Sequence, residues 1–131
     1  MKSSLILLLI ILLLGACSTL PKPEQPQAKV NADNTLKLAQ DYELTGRYAN
    51  SIDSYTFAQE FYQSSADTEG ELHALSGLAR IELAQGAPEA AQEYRAQMQD
   101  LVDLVEPELA PILLLYDLHV LHRQKDYHQM S

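Results

Sequence analysis

The residues of this 131-residue chain best able to do chemistry are its one cysteine, Cys17, and a histidine pair, His119-x-x-His122. A thiol can serve as nucleophile, metal ligand or acyl acceptor. Two imidazoles one helical turn apart can share a metal if a third ligand comes from elsewhere. The sequence has no His-Glu-x-x-His, no second cysteine and no carboxylate at matching spacing. The pair therefore reads as solvated surface histidines, and neither a metal nor another cofactor is expected. Gly70, Gly77 and Gly86 make neither Gly-x-Gly-x-x-Gly nor a glycine loop followed by Lys-Ser/Thr, so no phosphate loop is encoded. Ser, His and Asp all occur, but no local motif assembles them. The expectation is a protein that is not an enzyme and takes no small-molecule substrate.

Cys17 has a more specific setting. It follows Leu14-Gly15-Ala16, which closes an apolar run over residues 5–14 behind Lys2. This order of basic residue, apolar run, small residues and cysteine resembles the lipobox of bacterial lipoproteins. The resemblance implies cleavage after residue 16 and lipidation of Cys17 as the first residue of the mature chain. The rival readings are weaker on physical grounds. A membrane-spanning helix needs about 20 apolar residues, and this run stops at Gly15. An ordinary secretory leader would leave Cys17 as a lone thiol in an oxidising compartment. Three acyl chains, as the family implies, each add about 0.8 kcal/mol per buried CH₂ and would hold the protein firmly on its membrane. Ser18 follows the cysteine where many lipoproteins retained in the inner membrane carry Asp. By resemblance the expected location is the outer membrane, facing the periplasm.

Charge and composition bound what remains. The chain has nine Lys and Arg against eighteen Asp and Glu, a net charge of −9; loss of Lys2 with the leader makes it −10. That sign argues against nucleic acid and against adhesion to anionic lipid by charge. With one cysteine no disulfide forms within the chain, and packing alone must hold the domain. Residues 17–32 carry three prolines, few apolar side chains and no periodicity, and are expected to be a lipidated N-terminus and Pro-rich tether. Residues 33–131 suffice for one compact domain.

Within that domain the apolar residues recur at helical spacing. Asp33 or Asn34 can cap a helix carrying Leu36, Ala39 and Tyr42 that ends at Gly46. Ile52, Tyr55, Ala58, Phe61 and Tyr62 share a face over about residues 48–64. The tyrosines at 48, 55 and 62 fit a packing stripe better than a recognition stripe. Thr68-x-x-Glu71 offers a capping box for a third helix through Leu72, Leu75, Leu78 and Leu83, with Gly86 at its end. Pro88 suits the first turn of a fourth helix. A fifth, from about Glu108 or Pro111, carries Leu113, Leu114, Leu118 and Leu121. No stretch alternates as a strand would.

These helices also repeat. Leu38-Ala39-x-x-Tyr42-x-x-x-Gly46-x-Tyr48-x-x-Ser51-Ile52-x-x-Tyr55-x-x-Ala58 resembles one tetratricopeptide repeat, and Leu78-Ala79, Gly86-x-Pro88, Ala91 and Met98 echo it forty residues on. The family's period of thirty-four would then be stretched by a longer connection around residues 65–70. Leu118, Leu121 and Lys125-Asp126-Tyr127 resemble the start of a third unit. Ser51 stands where Ala is usual, and Gln92 and Arg95 replace large apolar residues. The expected fold is all-α: antiparallel helical hairpins stacked as about two degenerate repeats, with a C-terminal helix whose leucines cap the end.

The resemblance implies a concave surface lined by the first helix of each unit, which is where such repeats hold a peptide. It would receive Gln40 and Glu43 from the first unit, His73 and Arg80 from the second, and His119, His122 and Arg123 from the last. The family's carboxylate clamp is absent, so only a preference of sign is expected: Arg80, Arg123 and the histidines would form a positive island that selects an acidic segment. The expected function is a lipid-anchored, non-catalytic adaptor or scaffold for other envelope proteins. The other reading is a small structural lipoprotein packed in a larger complex, with no groove.

Overall fold

A computed structural model describes residues 26–130, with side chains described as far as Lys125. Cys17, the apolar run before it and most of the expected tether lie outside the described residues. Five helices follow one another: α1 (Gln27–Leu44), α2 (Tyr48–Ser64), α3 (Thr68–Ala84), α4 (Pro88–Leu104) and, after a 3₁₀ turn at Pro107–Leu109, α5 (Ala110–Met130). There is no strand among the described residues. The fold is all-α, with neighbouring helices packed in pairs, as expected.

The regularity comes from three matching turns. Each of the first three helices ends in a three-residue connection whose middle residue has positive φ: Gly46 (71°), Ala66 (54°) and Gly86 (81°). In each, the next N–H reaches back five residues to a carbonyl of the preceding helix: Arg47 to Tyr42, Asp67 to Tyr62 and Ala87 to Glu82, all at 2.9 Å. This is the Schellman closure that satisfies terminal carbonyls. The longer connection expected around residues 65–70 does not exist. The forty-residue period arises because α2, α3 and α4 have seventeen residues each, with equal turns between them. Ala66 holds the left-handed conformation that glycine holds in the other two turns. Ala66→Gly should leave the unfolding free energy unchanged or raise it by up to about 1 kcal/mol in a denaturant titration, since relief of Cβ strain opposes added chain entropy.

Two helix starts differ from expectation. Asp67, not Thr68, caps α3: its side chain accepts from the Gly70 N–H at 3.0 Å. The capping-box spacing misplaced the cap by one residue because Asp67 is the better acceptor. α1 begins at Gln27, so residues 27–32 belong to the domain rather than to the tether. Ala32 is fully buried, and Lys29 bonds to Asp67 across to the next hairpin. These contacts supply what the local composition lacks.

α3 is the centre of the core. It sends Ala74, Leu78 and Ile81 into one cluster with Ala32, Ala39, Tyr55, Ala58 and Tyr62. From its other side Leu72, Leu75 and Ala79 pack on Ala91, Met98, Val102, Leu113 and Tyr116. One helix apolar on two faces thus joins the two hairpins into a continuous core, the arrangement that makes helical repeats stable. Two departures from the repeat pattern, Ser51 and Arg95, are compensated. Ser51 is fully buried and donates to the Ala39 carbonyl at 2.7 Å. Arg95 makes a two-pronged pair with Asp117, at 3.1 and 2.9 Å, that ties α4 to α5. The tyrosine stripe packs as expected, with Tyr55 and Tyr62 buried and Tyr48 packed against the first cluster.

The expectation that α5 caps the stack through Leu113, Leu114, Leu118 and Leu121 is corrected. Only Leu113 is buried; Leu114, Leu118 and Leu121 are 59%, 51% and 60% exposed. α5 meets the core through Leu113, Tyr116 and Val120, and its other apolar stripe points away.

Candidate functional site

One open cleft of about 560 Å³ crosses the face shared by α1, α3 and α5. α1 contributes Gln40, Glu43 and Leu44, α3 contributes His73, Ser76 and Arg80, and α5 contributes Ile112, Leu115, Tyr116 and His119. Each set recurs at three- or four-residue steps, so each helix turns one stripe to the same space. Leu44 and Leu115, 84% and 67% exposed, give the cleft apolar rims.

Five of the seven residues expected on the concave face therefore meet: Gln40, Glu43, His73, Arg80 and His119. His122 and Arg123 do not line the cleft. The α1 wall ends at Leu44, and Arg123 instead borders a small hollow with Leu83, Pro88, Val120 and Gln124. Leu44, Ser76, Ile112, Leu115 and Tyr116 were missed. The spacing of 112, 115, 116 and 119 would have found the α5 members, because a stripe ending at His119 carries them with it.

The floor of the cleft is a closed polar network. Arg80 Nε and Nη2 donate to the two Glu43 carboxylate oxygens, both at 2.8 Å, and Nη1 donates to Ser76 Oγ at 2.9 Å. The Tyr55 hydroxyl donates to Glu43 at 2.6 Å and accepts from Arg80 Nη2 at 3.1 Å. Burial by itself would raise the Glu43 carboxyl, but hydrogen bonds from Arg80 and Tyr55 outweigh it and hold it below the usual carboxylate value. Burial and then the Glu43 hydrogen bond push the Tyr55 hydroxyl well above the ordinary tyrosine value. The network is a fixed brace between α1, α2 and α3.

This corrects the positive island expected from Arg80, Arg123 and the histidines. Among the described residues Arg80 is the only Lys or Arg lining the cleft, and Glu43 neutralises it two-pronged. Burial, then the nearby charges of Arg80 and Arg123, push His119 below the ordinary histidine value, against a weaker opposing pull from Glu43. The folded-state value of His119 is depressed, so acidification from about pH 6.5 downward protonates the unfolded chain first and costs stability.

No protein-family model, curated protein or solved structure matches the chain. The site rests on its own geometry. Among the described residues no group of three or more His, Cys, Asp or Glu could hold a metal ion, and no helix is long and apolar enough to cross a membrane. Ser76 accepts from Arg80, a permanent cation that cannot take its proton. The arrangement offers apolar rims, two imidazoles and a side-chain amide over a rigid neutral floor. It can bind by shape and apolar contact.

Proposed function

We propose that this chain is a lipid-anchored, non-catalytic interaction module of the bacterial cell envelope, carried on the outer membrane facing the periplasm. It holds a short segment of another envelope protein in the cleft between α1, α3 and α5. The observation that carries this reading is the cleft itself, built by one stripe from each of three helices and left open above a braced floor. Its exposed Leu44 and Leu115 favour an amphipathic helix or extended segment that brings apolar side chains. With Arg80 satisfied internally, the partner is read by its apolar residues rather than by acidic charge. His73, His119 and Gln40 supply hydrogen bonds that fix its orientation. The anchor is Cys17, in the setting already described.

Crosslinking in intact cells followed by mass spectrometry would name the partner. Leu44→Glu with Leu115→Glu should abolish its capture while helicity stays unchanged, because both side chains face solvent. Arg123→Glu should leave capture intact. Capture that survives the double leucine change would refute the cleft. For the anchor, Cys17→Ser should leave an unprocessed precursor with no acyl label; an acylated mature form of that variant would refute lipidation at Cys17.

A further inference from the structure

We propose that α5 is a self-association surface, and that its occupant is the α5 of a second copy running antiparallel. The starting observation is the stripe that points away from the core. Leu114, Leu118, Leu121 and Lys125 are spaced four, three and four residues apart, the spacing of a coiled-coil seam. The three leucines are each at least half exposed and Lys125 is exposed. A helix that buries Leu113 and Tyr116 on one side and shows a leucine seam on the other is shaped to lie between two layers, of which the described residues supply one.

Three features select a second copy over another partner. First, the seam is self-complementary. An antiparallel pairing about a two-fold axis near Leu118 sets Leu114 of each copy against Leu121 of the other, with the two Leu118 side chains together at the centre. Second, the ends match in charge. Glu106 and Glu108 precede α5 and Arg123 and Lys125 lie near its far end, so reversal brings Lys125 of each copy to the first turn of the other, within reach of Glu108. Third, the surface is electrically permissive. Residues 110–130 carry Asp117, Arg123, Lys125 and Asp126 and so have no net charge, whereas the chain as a whole stands at −9. Two copies repel over most of their surface and not here. The proposal does not depend on the cleft, which opens on a different stripe of α5. One helix pair buries less than the roughly 800 Å² per partner of a standard interface, so the association suits a covalent trap better than a dilute mass measurement.

The test uses the full chain carrying Cys17→Ser, in solution, so that an introduced thiol is the only one. Copper phenanthroline oxidation of Leu118→Cys should give a disulfide-linked species of twice the chain mass. Leu104→Cys, at a residue 82% exposed on α4, should give none. Adding Leu114→Glu and Leu121→Glu to Leu118→Cys should abolish the crosslink. Glu108→Lys should weaken it, and Lys125→Glu in the same chain should restore it. An absent crosslink at Leu118→Cys, an equal one at Leu104→Cys, or a crosslink to a protein of another mass would each overturn the proposal.

Discussion

Replacing Arg80 by methionine is expected to lower the unfolding free energy at pH 7 by about 2–4 kcal/mol, somewhat under the ~3–5 kcal/mol seen when one partner of a fully buried ion pair is removed. The discount reflects side chains that remain 24% and 21% exposed in the pair. The loss is large because three side chains, Glu43, Ser76 and Tyr55, depend on that guanidinium. Glu43 would remain as a half-buried carboxylate with only the Tyr55 hydroxyl to satisfy it, and Ser76 would lose its donor. Adding Glu43→Gln should restore most of the stability, since the uncompensated charge is then gone while the Tyr55 hydrogen bond survives. pH gives a second check. In the native chain the Glu43 carboxyl lies below its unfolded value, so its contribution is present above that value and is lost as pH falls through the folded one. In Arg80→Met only the Tyr55 hydrogen bond and the weaker charge of His119 oppose burial, so Glu43 takes up its proton at higher pH and the gap between variant and native chain should narrow at pH 4. A constant gap from pH 7 to pH 4 would show that Arg80 stabilises by packing and not by its charge.

Gly77→Ala is expected to cost about 3 kcal/mol, at the top of the usual range for overpacking. A Cβ there would lie 2.2 Å from Tyr55 Cζ, closer than carbon atoms approach. Gly70 stands in the same relation to Tyr62, at 2.3 Å. The two contacts are one heptad apart and run in opposite directions along the antiparallel α2 and α3, so each tyrosine ring lies flush on the backbone of α3. To admit a methyl group the helices must part or Tyr55 must swing out, which breaks its bonds to Glu43 and Arg80. This outweighs the roughly 1 kcal/mol by which Ala otherwise favours a helix over Gly. Gly46→Ala is the comparison: nothing lies within 4 Å, and its cost should be the smaller one of positive φ alone. Urea titrations of both, and of Gly77→Ala in a Tyr55→Leu background, would check the account. With the ring removed the alanine should be tolerated, a non-additivity expected only of residues in contact.

Helix identity was legible because it is written at short range. The three- and four-residue recurrence through Ile52, Tyr55, Ala58 and Tyr62, the glycines at 46 and 86 and Pro88 at a first turn are local signals, and α2 runs over Tyr48–Ser64 as that spacing predicts. Gln40, Glu43, His73, Arg80 and His119 could be placed on one face because repeat register is also local to each helix. What those residues do there was not legible. Arg80 read as a free cation, and its partner Glu43 lies thirty-seven residues away, a distance over which only packing decides which charges meet. Gly70 and Gly77 could be read only as forming no phosphate loop; their role as seats for the Tyr62 and Tyr55 rings depends on how α2 packs on α3. Residues 27–32 read as linker, since their helix depends on contacts to α2 and Asp67 rather than on their own propensity. Leu114, Leu118 and Leu121 read as a cap. Periodicity tells which residues share a stripe, and only the stacking of one hairpin on the next determines whether that stripe turns inward or outward.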